Sequence, residues 1–224
     1  MAGRHGVHGN WKKAQQAPTH LSAADLPPRP DPETGLPRVP QAPTLLGRDK
    51  ETERSSEPPA PPDGCGRTLA WSEFSLRELA GIAAFWTVFM FVGIWMLQGF
   101  SLAWASIPWM WLFVLGASLV LTLQQWRQNV SAGADWLRRN RQWVSLYEIT
   151  SAKVYSHGMN MWLHARDKHG RKIRIQLLEL ELDPYVHDLA YNGLLHSVIA
   201  GGAETNSRLH GALHMPRPKA EQSS

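Results

Sequence analysis

Five basic residues, Arg166, Lys168, Arg171, Lys172 and Arg174, crowd into one short part of the chain. They lie on two runs, Asn160–Asp167 and Arg171–Leu178, and on the Lys168-His169-Gly170 turn that joins them. In the first run Met161, Leu163 and Ala165 alternate with Trp162, His164 and Arg166. In the second, Ile173, Ile175 and Leu177 alternate with Lys172, Arg174 and Gln176. A period of two places such residues on opposite faces of a strand, so a hairpin with one apolar and one basic face is expected. Guanidinium and ammonium groups on one face can meet the phosphate oxygens of lipid headgroups or of nucleic acid. Their plainer role is to keep an exposed sheet soluble and its edge unpaired. A second group, Arg138, Arg139 and Arg141, lies in QQWRQNVSAGADWLRRNRQW. Each could add about 1 kcal/mol beside an anionic leaflet, although fixing membrane topology is their first expected role.

No residue set composes a catalytic centre. The chain has no Gly-rich phosphate loop, no HExxH and no GxSxG, and Cys65 has no evident base. His5 and His8 sit on a tail that closes no coordination shell, and His210 and His214 have ligand spacing without a clear helix to carry them. His187 and Tyr191 are one helical turn apart, with His196 expected further along a polar side. Asp167, Asp183 and Asp188 read as turn, cap and surface residues. The expectation is a protein without enzymatic activity, metal or cofactor.

The element that organises the rest is Leu79–Leu123, which holds no Asp, Glu, Lys, Arg or His. As one helix it would run to roughly 65 Å, twice what a bilayer core uses. Two antiparallel spans, at about 79–97 and 107–123, use it well. The turn between them carries no charge, while Arg67 and Arg77 precede the pair and Arg127, Arg138, Arg139 and Arg141 follow it. By the positive-inside rule both termini face the cytoplasm and the chain resides in the cell membrane. Trp71 and Trp126 are expected at the inner boundary and Trp95 and Trp104 at the outer one, where indoles favour headgroups. Ala80, Gly81, Ala83 and Ala84 in the first span, and Gly116, Ala117 and Ser118 in the second, would allow close helix contact, within one chain or between chains. The absence of ionisable groups from the spans argues against an ion pathway.

The flanks differ in kind. Residues 1–67 hold twelve of the sixteen prolines and few aromatics, so a disordered cytoplasmic tail is expected, with Pro27-Pro28-Arg29-Pro30 a polyproline ligand or a plain tether. Residues 68–126 form the membrane hairpin. Residues 127–142 read as a helical connector, since Trp126, Val130 and Leu137 recur near a helical period. From 143 to 202 a small strand meander is closed by a helix. That helix begins at Asp183-Pro184, carries Val186, Leu189, Ala190, Gly193, Leu194 and Val198 on one stripe, and stops at Gly201-Gly202. Residues 203–224 return to tail character. The fold class is therefore α+β: a transmembrane helical hairpin plus a small cytoplasmic antiparallel meander capped by an α-helix. Net charge is +4, and mean hydropathy is −0.30 despite two spans, so the remainder is markedly polar.

The meander ending in ARDKHGRKIRIQL, closed by DPYVHDLAYNGLLHSVIAGG, resembles the latter half of bacterial PH-like domains, which often follow a pair of transmembrane helices. That resemblance implies seven strands and a helix, whereas this stretch offers three or four strands, which leaves a second copy as one way to complete the sheet. The Pro- and Ala-rich tail, tryptophan-rich hairpin and LLHSVIAGGAETN ending resemble uncharacterised two-span membrane proteins of actinobacteria. The reading is a membrane-anchored binding or scaffolding module. Its partners are the bilayer, anionic headgroups, another membrane protein or a second copy. The alternatives are an accessory protein of DNA transfer or export, which the lack of stacking aromatics on that face apart from Trp162 disfavours, and a holin-like pore.

Overall fold

The two shortest partners of one sheet lie on either side of the long apolar stretch. The computed structural model describes residues 20–43, 57–72, 76–126, 129–158 and 160–218. In chain order the regular elements are β1 (His20–Leu21), β2 (Ala70–Trp71), α1 (Leu76–Leu97), α2 (Pro108–Trp126), β3 (Val130–Ala132), β4 (Trp136–Arg139), β5 (Gln142–Ser145), β6 (Ile149–His157), β7 (Asn160–Asp167), β8 (Lys172–Gln176), α3 (Leu177–Glu181), α4 (Pro184–Ile199), β9 (Glu204–Thr205), α5 (Ser207–Ala212) and β10 (Arg217–Pro218). β2 pairs antiparallel with β3, Ala70 opposite Ala132 and Trp71 opposite Ser131. Two compact units result: Glu73–Asn129 is one, and the chain before and after it forms the other. The helical pair is thus spliced into a hairpin of the domain.

Within the helical unit, α1 from Arg77 to Leu97 is long and apolar enough to cross a membrane, while the apolar part of α2, Pro108–Leu123, is shorter. Val114, Ser118 and Thr122 form the buried face of α2. The Ser118 and Thr122 hydroxyls each donate to a carbonyl one turn back, which satisfies them without a second helix. The small-residue expectation holds only in part. Ser118 is buried, but a Cβ built on Gly81 or Gly116 meets nothing within 4 Å, so neither glycine mediates a close approach. Trp95 lies near the connection, its indole N–H donating to the Phe100 carbonyl. Trp104 instead packs inward at 3% exposure, with ring centroids 5.1 Å from Phe91 and 5.8 Å from Trp111.

The other unit holds two four-stranded sheets, ordered β2-β3-β4-β5 and β8-β7-β6-β9. Their shared core includes Leu137, Val144, Leu146, Ile149, Val154, Leu163, Ile175 and Leu189. The helical connector expected at 127–142 is corrected: among its described residues β3 and β4 form a hairpin with a tight turn at Gly133. A spacing of seven between Val130 and Leu137 suits two short strands as well as a helix. Burial decided between them, because Trp136 folds over Gly133, where a Cβ would stand 2.2 Å from its indole nitrogen. The strands missing from the meander therefore come from this segment and from β2, so the first sheet is completed within one chain.

α4 keeps its expected bounds. Asp183 accepts the Tyr185 and Val186 N–H groups, Pro184 opens the first turn, and Gly202 takes a positive φ of 64° after the end. All six residues of the expected stripe are buried. At Gly193 a Cβ would stand 2.4 Å from the Leu146 Cβ, so the close approach is to the turn before β6 rather than to a strand. Gly193→Ala is expected to destabilise by roughly 1–3 kcal/mol through overpacking, exceeding the ~1 kcal/mol of helix propensity it gains. Urea denaturation tests this, and a variant more stable than the parent would mean that Leu146 yields freely.

Both tails differ from expectation where they are described. Asn206 caps α5 and also bonds the Val154 N–H and carbonyl, while Leu209, Leu213 and Met215 join the core. Composition alone hid that short apolar pattern. The Pro-rich residues 20–43 and 57–72 lie on the domain. Proline has a carbonyl but no N–H, so at its prolines such a strap offers only acceptors and needs donors from its neighbours. The domain supplies them: His196 to the Pro27 carbonyl at 2.7 Å, Arg138 to Ala60 at 3.0 Å, and the Trp136 indole to Gly66 at 2.9 Å.

Candidate functional site

The alternation of β7 and β8 is realised as expected. Leu163, Ala165, Ile173 and Ile175 face the core, and Arg166, Lys172 and Arg174 are exposed on the opposite face. Cross-strand pairing arranges that outer face in rows. Ser151, Arg166 and Lys172 lie side by side, then Lys153, His164 and Arg174, then Tyr155, Trp162 and Gln176. The Arg174 guanidinium stands 4.5 Å from the Trp162 ring centroid, and Arg139 reaches the same ring from 5.6 Å. Stacked guanidinium groups remain charged, and one edge stays open to an anion.

Five of the eight expected phosphate-contacting residues are committed in other ways or stand apart. Arg139 binds Glu179 with two hydrogen bonds, at 2.6 and 2.8 Å. Arg171 pairs with Asp167 at 2.6 Å and covers the Trp143 ring at 3.5 Å. Lys168 pairs with Glu148, whose carboxyl is held below its ordinary range chiefly by that contact. Arg138 bonds the Asn140 and Ala60 carbonyls. Arg141 is exposed in the turn between β4 and β5 rather than on β6, β7 or β8. That leaves Arg166, Lys172 and Arg174 as a shared cationic surface, and none of the three has an acidic partner among the described residues. Sequence reasoning missed the β6 side of this surface, Lys153 and Tyr155. Their alternation in ITSAKVYSH was legible, but their pairing with His164 and Trp162 was not. Lys153 is offset by Glu204.

His164 lies at the centre of the rows. Burial, then Arg174, then His157 depress its basicity, so it adds little charge near neutral pH. His196 lies elsewhere, under the strap rather than on a polar side in solvent. Its Nε2 must be the protonated nitrogen, because the Pro27 carbonyl can only accept. Burial depresses the His196 basicity, and the Pro27 hydrogen bond opposes that in part. A base whose folded pKa is lowered contributes stability fully present above the unfolded value near 6.5 and lost as pH falls below it. The domain should therefore melt earlier at about pH 5.5 than at about pH 7.5, and His196→Gln should shrink that difference. An unchanged pH slope in the variant would assign the effect elsewhere.

Asp188, expected at the surface, is buried and accepts the Ala42 N–H at 2.7 Å. Asp167 is the turn residue expected, accepting N–H groups from His169 and Arg171. His210 has both ring nitrogens engaged, with Thr205 and with the Met215 carbonyl, and His214 lies past the end of α5. No group of three or more His, Cys, Asp or Glu side chains among the described residues is placed to hold a metal ion. His5 and His8 lie outside the described residues. Of the four proposed indole anchors, Trp71 is half-buried in β2 and the Trp126 side chain lies outside the described residues. Comparisons with protein-family models, with curated proteins and with solved structures found no match for this chain.

Proposed function

We propose that the chain is an integral membrane protein that presents a small non-catalytic binding module at the cytoplasmic face. The observation that carries this reading is the pairing of β2 with β3 across the helical unit. Two strands of one sheet must lie on the same side of a membrane, so the intervening chain crosses it an even number of times or not at all. If α1 spans, α2 must return the chain, although its apolar stretch is the shorter one. The flanking arginines favour the cytoplasmic side for the sheet. The seven strands β2 to β8, followed by α3 and α4, also support the PH-like resemblance, with the membrane hairpin inserted into the domain rather than placed before it.

The module's expected ligand is anionic headgroups, met by Arg166, Lys172 and Arg174. The nucleic-acid alternative weakens further, because Arg174 occupies a face of Trp162 that a base would need. Topology is tested with an impermeant maleimide on intact cells. In a Cys65→Ser background, Ser101→Cys should be labelled from outside, and Cys65 in the parent should not. Labelling of Cys65 from outside would invert the topology. For the headgroup surface, the triple change of Arg166, Lys172 and Arg174 to Ala should weaken binding of the excised domain to anionic vesicles about a hundredfold, at about 1 kcal/mol per charge. Equal flotation of parent and variant would remove this surface from the reading.

A further inference from the structure

α4 does not cover the whole apolar face of the second sheet. Beyond the last covered pair a cleft of about 830 Å³ opens between the β6–β7 hairpin end, α3 and α5. Its lining is mostly apolar and includes Leu177, with Met161 and Leu178, which stay 47% and 52% exposed. Large aliphatic side chains left this open around one concavity mark a place where something apolar is meant to sit. The volume falls within the range of small-molecule sites, roughly 300–1,000 Å³.

The polar groups around the cleft narrow the occupant. Arg208, on α5, forms no ion pair among the described residues, and His214 lines the same cleft. Glu181 is the one acidic group there, and it already has an interaction of its own. A guanidinium beside an aliphatic wall complements a molecule with a long apolar body and an anionic end. We infer that this cleft binds a fatty acid, its chain against Met161, Leu177 and Leu178 and its carboxylate towards Arg208. The inference rests on the membrane-anchored reading, since a bilayer is where such chains are abundant.

Gly211 provides the means of testing it. It lines the cleft, and a Cβ built on it meets nothing within 4 Å. Gly211→Trp would therefore place a bulky ring at the cleft wall with little strain on the fold, and Leu178→Glu, at an exposed position, would make its wall polar without disturbing the core. The full chain in lipid nanodiscs is exposed to a photoactivatable palmitate analogue, crosslinked and mapped by mass spectrometry. Labels are expected on α1 and α2 peptides and, separately, on peptides carrying Met161 or Leu178. Cleft labelling should fall about tenfold in Gly211→Trp and in Leu178→Glu, a loss of about 1.4 kcal/mol, while hairpin labelling stays unchanged. The methyl ester of the probe should label the cleft less than the acid, and Arg208→Gln should abolish that preference. Labelled helices with an unlabelled cleft, or cleft labelling indifferent to both plugging variants, would overturn the inference and leave the membrane reading standing. Absence of label from helices and cleft alike would remove both.

Discussion

Replacing Glu73–Asn129 with the dipeptide Asn-Gly should yield a soluble, monomeric domain that melts cooperatively. The geometry for this graft already exists. Ser72 donates its N–H to the Val130 carbonyl at 2.9 Å, and the Val130 N–H is taken by the Ser72 hydroxyl at 3.2 Å. The register that pairs Ala70 with Ala132 and Trp71 with Ser131 makes Ser72 and Val130 the next opposing pair. A two-residue turn of primed type closes such a pair with the twist a sheet requires, and Asn-Gly supplies the positive φ values it needs. By contrast, a fragment beginning at Trp136 would lose β2 and β3. It would expose Leu137 and Val144, now 1% and 0% exposed, along one sheet and leave α4 without two of its neighbours. That fragment should aggregate or show no cooperative transition. Circular dichroism, size-exclusion chromatography and thermal melts separate the graft from the fragment directly. Aggregation of the Asn-Gly graft, with the fragment well folded, would mean that the domain is continuous after the helices and that β2 is dispensable.

Much of this architecture was legible in the residues, and the exceptions share a physical cause. The helical pair announces itself by forty-five positions without charge, and α4 by Asp183-Pro184 at one end and Gly201-Gly202 at the other. The β7–β8 hairpin follows from strict alternation. These are local signals, each complete within a few residues. What was not legible is long-range. β2 has two residues and becomes a strand only because Ala132 and Ser131 lie beside it, some sixty positions away. The segment from Val130 to Ser145 could be read as helix because Val130 and Leu137 fit either period, and only the core chose between them. His196 and Asp188 looked like solvent-facing residues of an amphipathic helix until the strap supplied Pro27 and Ala42. The basic surface was legible as a face but not as a charge balance. Glu179, Asp167 and Glu148 neutralise Arg139, Arg171 and Lys168 from other elements or across turns, so three cations rather than eight make up the candidate site.

The strap makes the second large prediction, since a Pro-rich segment is usually discarded as a tether. Deleting residues 1–43 from the grafted domain should lower its melting temperature by roughly 10 °C, corresponding to a few kcal/mol for a domain of this size. Several contributions add. The Asp188 carboxylate, buried at 6% exposure, would lose the Ala42 N–H, and His196 would lose its carbonyl acceptor. The Arg29 guanidinium, 4.5 Å from the Tyr147 ring centroid, would leave with a cation–π contact of about 0.5–1 kcal/mol. Val39 and Ala42, now 8% and 4% exposed, would no longer cover apolar surface. Proline lowers the cost of holding the strap in place, because its fixed φ leaves little backbone freedom to lose. It follows that a synthetic peptide of residues 20–43 should bind the truncated domain in trans and restore most of the lost stability. Arg29→Ala and Pro27→Gly peptides should bind more weakly, the first by losing the ring contact and the second by restoring backbone entropy. Calorimetry measures each. A truncated domain that melts with the parent, or a peptide that fails to bind it, would reduce the strap to a passive tether.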